Sequence, residues 1–326
     1  MKYVKLGNTG IKISQVVIGS TNMGWRINEQ ASHEVLDKAV ELGVNAIDTA
    51  NIYGKWGEDG YPGRSEDIIG NWLKKSEIRE DIVLATKLFG EMSENVNDRG
   101  LSRKHIHKAL KGSMKRLQTD FVDIYFTHTF DAETPVEETM RAFTALIEQG
   151  KIHYIGASNH PAWRIMEALW VSDKYGLERY EVLQPVYNIA KRHTYEQDLV
   201  PLVEKYKLGV TSYSPLGTGF LTGRYGKDML PETPRVDGVK RRYFKDRNFE
   251  ILKTLKKIAK EKDATMAQIA ISWVVHQESV TAPILGANTI EQLEENVGAL
   301  EIKLKKDDLQ QLDEASDWKT LDELSR

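Results

Sequence analysis

Eight apolar runs, each followed by a turn and a segment with helical periodicity, predict one α/β domain closed into a (β/α)8, or TIM, barrel. Three observations carry that reading. Strand–helix alternation implies parallel strands, which are buried on both faces. The length, 326 residues, exceeds an average domain but lies within what one such barrel uses. No low-complexity segment or shift in composition marks a second domain within 1–326.

The elements follow in order. Tyr3-Val4-Lys5 and Ile11-Lys12-Ile13 alternate around Gly7-Asn8-Thr9-Gly10, which predicts an N-terminal β-hairpin. Strands are then expected to end near Gly19, Asp48, Lys87, Thr127, Ala157, Gln184, Ser212 and Pro283. Helices are expected over 31–42, 65–75, 102–117, 135–149, 161–175 and 195–207. Ser65 with Glu66, Ser102, and Thr134-Pro135 before Glu137 and Glu138 supply helix starts. After the seventh strand comes an irregular stretch, about 213–247, rich in Gly and Pro. It is too long for an idle connection and is expected to be a functional loop or lid. Helices at 249–262 and 265–276 precede the eighth strand, and others follow at 289–300 and 306–315.

Composition narrows the function classes. A formal net charge of −3 gives no global attraction to nucleic acid or to an anionic membrane. The absence of cysteine excludes disulfides, thiolate metal sites and cysteine nucleophiles, and no metal site is expected. The first residues contain no uninterrupted apolar h-region, and no apolar run approaches a membrane span. A cytoplasmic protein is therefore expected.

The stretch from Asn45 to Gly54 organises the chemistry. A single acid, Asp48, ends a short apolar run, and Tyr53 follows five residues later. A buried carboxylate is costly unless paired, and Lys87, at the end of the next run, is the candidate partner. In a barrel, side chains at the carboxyl ends of different strands converge on one mouth. Asp48, Lys87, His128, Ser158, Asn159, Gln184, Tyr213 and Ser214 meet there, with Tyr53 on the second βα loop. Taken singly, each has a plain packing explanation. Taken together they favour an enzyme site.

An Asp–Lys–Tyr group suits proton donation. A phenol has an unperturbed pKa of about 10, which a nearby ammonium lowers. A carboxylate behind the lysine keeps it protonated, and a neutral histidine can donate to a developing oxyanion. That combination fits carbonyl reduction, where oxygen gains charge and then takes a proton. No side chain supplies a hydride, so a cofactor must. Yet no Gly-x-Gly-x-x-Gly opens a helix after a strand.

The segments Ile47-Asp48-Thr49-Ala50 with Tyr53-Gly54, Ala85-Thr86-Lys87, Tyr125-Phe126-Thr127-His128, Gly156-Ala157-Ser158-Asn159, Tyr213-Ser214-Pro215-Leu216 and Gly286-Ala287 with Gln292 and Glu295-Asn296 resemble, in this order and spacing, the aldo-keto reductases. The resemblance runs from the hairpin to the helix at 289–300. Its Gly219-to-Arg224 loop is similar to that of bacterial reductases related to potassium-channel β subunits. It implies Tyr53 as general acid, tuned by Lys87 and Asp48, with His128 orienting the carbonyl. It also implies an NAD(P)H at the barrel mouth. Tyr213 would stack on the nicotinamide, and Ser158, Asn159 and Gln184 would hold its carboxamide. The main chain from Ser214 through Pro215, Leu216 and Gly219 to Leu221, with the Arg224 side chain, would clasp the pyrophosphate. Gly286, Asn288, Gln292, Glu295 and Asn296 would face the adenosine end.

Relatives that prefer NADPH place a cation just after the Gly-Ala pair; here that position is Asn288, and Gln292 is uncharged too. Family habit implies NADPH, with NADH left open. The other basic residues of the loop, Arg235, Lys240, Arg241, Arg242, Lys245 and Arg247, are interspersed with acids and read as a solvated surface. Trp25, Trp56, Tyr61, Phe89 and Phe130 sit on βα loops; Trp25 and Phe89 are the expected walls for a small carbonyl substrate. Two other readings stay open: a cofactor-sensing regulatory subunit with slow turnover, and a barrel enzyme without redox chemistry acting on a phosphorylated sugar. Oligomeric state is not readable.

Overall fold

In the computed structural model, residues 1–319 are described, apart from 228 and 234. Eight parallel strands form a closed barrel: β3 (Val17–Gly19), β4 (Ala46–Asp48), β5 (Val83–Leu88), β6 (Val122–Thr127), β7 (Ile152–Ser158), β8 (Tyr180–Gln184), β9 (Gly209–Ser212) and β10 (Ala282–Leu285). They neighbour one another in chain order, and β10 returns to pair with β3. The expected strand ends at Gly19, Asp48, Thr127, Gln184 and Ser212 stand. Three others extend by one or two residues, to Leu88, Ser158 and Leu285.

Two apolar layers explain why the runs are continuous. Phe126, Val182, Ile124, Val17 and Ile284 fill the barrel interior, while a larger layer packs between strands and helices. All six residues of β6 are buried, because one face meets each layer. The predicted hairpin, β1 (Tyr3–Lys5) with β2 (Lys12–Ser14), is antiparallel and sits under the barrel. Its Leu6 is fully buried in the interior cluster. Gly7 adopts φ 56° with its main chain against Gly209, where a Cβ would lie 2.2 Å from the Gly209 nitrogen. Only glycine fits there.

The helices alternate as expected: α1 (Glu29–Glu41), α2 (Arg64–Ser76), α3 (Arg103–Leu117), α4 (Val136–Glu148), α5 (Ala162–Tyr175) and α6 (Val200–Tyr206). Ser102 caps α3, its Oγ accepting from the His105 N–H at 3.3 Å. Helix α1 begins two residues before the expected start, because the Asn28 side chain accepts from the Ala31 N–H. The segment read as one helix over 195–207 divides: Tyr195–Leu199 is a wider π turn and only Val200–Tyr206 is α.

The long connection after β9 is not irregular throughout. It contains a 3-10 turn, Gly217–Thr222, and a helix, α7 (Val236–Tyr243). Helix α8 (Asp246–Glu261) begins three residues before the expected 249. Phe220 stacks on Tyr243 with centroids 5.4 Å apart, and Tyr225, Phe244 and Phe249 complete an aromatic cluster. Glycine and proline punctuate the sequence here, which hides that private core. Helices α9 (Met266–Val275, with a Thr265–Gln268 capping box), α10 (Ile290–Gly298) and α11 (Lys306–Ala315) close the chain. No helix is long and apolar enough to cross a membrane among the described residues.

Gly156 shows how tightly the interior is filled. A Cβ there would lie 2.3 Å from the Phe126 ring on the neighbouring strand. Gly156→Ala should therefore destabilise the chain by about 1–3 kcal/mol through overpacking, read as a lower urea midpoint at unchanged slope; an unaltered midpoint would show that the barrel interior can yield.

Candidate active site

The mouth lies at the carboxyl ends of the strands, and β4 and β5 place its central pair. Lys87 is fully buried, and its Nζ donates to Asp48 Oδ2 at 2.5 Å, to the Thr49 carbonyl at 2.8 Å and to the Tyr53 hydroxyl at 3.2 Å. Those three acceptors match the three N–H bonds of an ammonium. Burial by itself works against the charge, but Asp48 and Tyr53 beside it outweigh that and hold the Lys87 pKa above the ordinary lysine value. The expected Asp48–Lys87 partnership is present, with Tyr53 at its open end.

The loop that carries Tyr53 is tied down rather than free. The Ser65 N–H at the start of α2 donates to the Tyr53 carbonyl at 3.2 Å, and the Ser65 hydroxyl donates to Ser20. Gly54 has φ 91°, and a Cβ on it would lie 2.7 Å from Arg64 Cβ. The glycine after the tyrosine is what lets the loop turn under α2.

His128 follows β6, its backbone N–H donating to the Leu88 carbonyl at 2.8 Å. Its ring meets Tyr53 edge-on at 5.8 Å between centroids. Nδ1 is buried without a partner among the described residues, which leaves Nε2 as the nitrogen toward the cleft. Burial, and then the Lys87 charge, lower its pKa to about 3. The ring is neutral at physiological pH and can donate a hydrogen bond without adding a second cation.

Asp48, Tyr53 and His128 line one end of a cleft of ≈ 1060 Å³, with Lys87 buried behind them. The cleft also collects Ser158, Asn159, Gln184, Tyr213, Ser214, Pro215, Leu216, Gly219 and Arg224, and, across it, Gly286, Asn288, Gln292, Glu295 and Asn296. Leu221, expected to contribute main chain only, has its side chain fully buried in the layer between strands and helices. One expected residue lies elsewhere. Phe89, with Trp25 the expected substrate wall, packs against that same layer and does not line the cleft; its backbone, at φ 155°, turns it away. Trp25 does line it, 5.5 Å from Trp56, which in turn lies 6.2 Å from Tyr53.

The three expected carboxamide contacts are bonded to one another and to their neighbours. Asn159 Nδ2 donates to the His128 carbonyl and to Ser158 Oγ, and Ser158 Oγ donates to the Gln184 carbonyl. The Tyr213 hydroxyl, kept protonated by burial and the nearby Tyr53 with a pKa pushed up to about 12, donates to Asn159 Oδ1 at 2.8 Å. What remains open is mainly acceptor capacity on Gln184 Oε1 and Asn159 Oδ1. That suits the –NH2 group of a carboxamide.

At the opposite end sequence reading missed the important residues. Arg235, expected on a solvated surface, is half-buried in the cleft wall with Arg26. Both guanidinium groups lie over the Trp25 ring, at 5.2 and 4.6 Å. Arg235 donates to Asn22 Oδ1 and Asn22 Nδ2 donates to Asn288 Oδ1, each at 2.7 Å. Neither arginine forms an ion pair among the described residues, and Arg26 Nε and Nη2 are buried without partners. Burial, and then Arg26, lower the Arg235 pKa to about 10. At the start of α10 two backbone N–H groups are taken by the helix's own side chains. Thr289 accepts from the Gln292 N–H, and Gln292 Oε1 accepts from the Asn288 N–H. No local sequence signal marks Arg26 or Arg235; only their convergence from loops 209 positions apart does.

A buried ammonium–carboxylate pair behind a tyrosine, beside a neutral histidine, defines an acid–base site in the mouth of a parallel barrel. The chain belongs to the aldo/keto reductase family of oxidoreductases, whose family model matches residues 15–317. It is 37% identical to a probable voltage-gated potassium channel subunit beta of Oryza sativa subsp. japonica, over 93% of this chain and 92% of that protein. It is 35% identical to the uncharacterized oxidoreductase YrpG of Bacillus subtilis (strain 168), over 96% and 95%. A putative voltage-gated potassium channel subunit beta of Schizosaccharomyces pombe is 36% identical, over 97% and 94%.

The His128 environment makes stability depend on pH. The unfolded chain takes up the proton at the ordinary histidine value of 6.5, the folded chain only near 3. Stability is thus lost as pH falls below 6.5 toward 3. His128→Gln should lose less unfolding free energy between pH 6.5 and 4 than the parent in urea titrations; equal losses would place a protonated ring in the folded site.

Proposed function

We propose that this chain is an NADPH-dependent reductase of aldehydes or ketones, with Tyr53 as general acid. The observation that carries the reading is the Lys87 ammonium bonded at once to Asp48 and to the Tyr53 hydroxyl. The nicotinamide, when bound, supplies the hydride. A carbonyl oxygen seated between the Tyr53 hydroxyl and His128 Nε2 would gain negative charge as its carbon is reduced. Tyr53 then gives up its proton to that oxygen, and Lys87 stabilises the phenolate left behind. Asp48 keeps Lys87 charged through the cycle. His128, being neutral, donates to the oxygen without competing electrostatically with Lys87.

The preference for NADPH rests on the far end of the cleft. Two half-buried guanidinium groups with no acid paired to them among the described residues are costly in isolation, and a phosphate monoester would satisfy them. Arg235 stands one asparagine away from Asn288. It thereby supplies, from the loop after β9, the cation that position 288 lacks.

A second reading, a cofactor-sensing regulatory subunit with slow turnover, draws on the relatives named as channel β subunits. The complete set of Asp48, Tyr53, Lys87 and His128 favours the enzyme. Turnover of a small aldehyde panel with NADPH separates the two: tight nucleotide binding without any turnover would favour the sensor.

Tyr53→Phe should lower carbonyl reduction by about 10²-fold or more while NADPH still binds by fluorescence titration; undiminished turnover would remove Tyr53 from the proton-donor role. Arg235→Leu should weaken NADPH by about tenfold or more and leave NADH within about threefold. Equal weakening of both nucleotides would dissociate Arg235 from the 2′-phosphate.

A further inference from the structure

Asp48 and Gln184 end strands on opposite sides of the barrel. In the order β10-β3-β4-β5-β6-β7-β8-β9, β4 and β8 are four places apart in a ring of eight. Yet Gln184 Nε2 donates to Asp48 Oδ1 at 2.8 Å, across the mouth and between residues 136 positions apart. Asp48 Oδ2 is the oxygen held by Lys87. The carboxylate is therefore gripped at both oxygens, by different strands.

We propose that Gln184 is a positioning residue for the proton-donating group, fixing the Asp48 carboxylate and through it Lys87 and Tyr53. The inference rests on the reductase reading above and deepens it. Rotation of an aspartate carboxyl about its last torsion is soft and roughly two-fold. Asp48 is only 3% exposed, so water replaces a lost partner poorly. Without the Gln184 amide, Oδ1 becomes a buried acceptor with no donor, and the carboxylate turns to share Lys87 between its two oxygens. Lys87 is then drawn off the line to the Tyr53 hydroxyl, already its longest bond at 3.2 Å.

The main chain of Gln184 is held at the strand end: its backbone carbonyl accepts from Ser158 Oγ at 2.8 Å, and Ser158 Oγ accepts from Asn159 Nδ2 at 3.0 Å. Asn159 also binds the His128 carbonyl and the Tyr213 hydroxyl. A single hydrogen-bonded rim thus runs from Tyr213 through Asn159, Ser158 and Gln184 to Asp48, Lys87 and Tyr53. It joins the side chain expected over the nicotinamide to the proton donor. The Oε1 of the Gln184 amide takes no partner among the described residues, so contact with a carboxamide and the grip on Asp48 use different atoms.

The test compares the parent with Gln184→Met, which keeps length and removes the donor, and with Gln184→Glu. In the cofactor-free protein the 13C-carboxyl resonance of Asp48, assigned through Asp48→Asn, should move in Gln184→Met; an unmoved resonance overturns the proposal whether or not any carbonyl is turned over. In turnover at saturating NADPH, kcat should fall about tenfold, whatever the loss of the Oε1 acceptor does to the Kd. A weakened Kd with kcat retained would confine Gln184 to cofactor contact and sink its positioning role. In the Asp48→Asn background Gln184→Met should cost less than about twofold, and full additivity would count against the link. Gln184→Glu regains a donor only when its carboxyl is protonated, so its activity should rise as pH falls relative to the parent; a parallel pH profile would contradict the bond to Asp48. A parent protein that turns over no carbonyl would refute the reductase reading alone, the resonance still deciding the role of Gln184.

Discussion

A charged lysine held entirely inside the barrel mouth is the constraint on which the rest of this structure depends. An ammonium taken out of water is tolerable only when its N–H bonds all find partners and an opposite charge stands close. Lys87 meets both conditions with one carboxylate, one main-chain carbonyl and one phenol. Two of these come from the single stretch Asp48-Thr49, and the third from Tyr53 on the loop that follows. The short run Asn45–Gly54 therefore has to be placed as one unit. The glycine that turns it under α2 and the Ser65 N–H that holds its carbonyl serve that placement.

That one charge then sets the state of its neighbours. It contributes, after burial, to keeping His128 neutral. It gives Asp48 a reason to be buried and leaves the second carboxylate oxygen for a donor from the far side of the barrel. The mouth is electrostatically complete as it stands. The other end of the cleft is the reverse case: Arg26 and Arg235 crowd one tryptophan with no acid against them among the described residues. A cleft neutral at one end and cationic at the other orients a long anionic ligand before any specific contact forms.

Much of this was legible from local pattern. Alternating strands and helices, the strand ends at Asp48 and Gln184, and the pairing of Asp48 with Lys87 all follow from period, turn residues and the cost of a buried acid. What was not legible involved residues whose local context misleads. Arg235 sits among acids and bases in a Gly- and Pro-rich stretch that reads as solvated surface, but Phe220, Tyr225, Tyr243 and Phe244 give the stretch its own core. Phe89 follows a strand end as a substrate wall should, yet its backbone turns it into the packing.

The sequence by itself determined the barrel and the pairing of Asp48 with Lys87, because periodicity and the penalty for burying charge act within a few residues. The tertiary structure alone decided two things: that Gln184 reaches Asp48, and that Arg26 and Arg235 share one ring. Both are contacts across a closed barrel or between distant loops. Their energy depends on a separation in space that no spacing along the chain encodes.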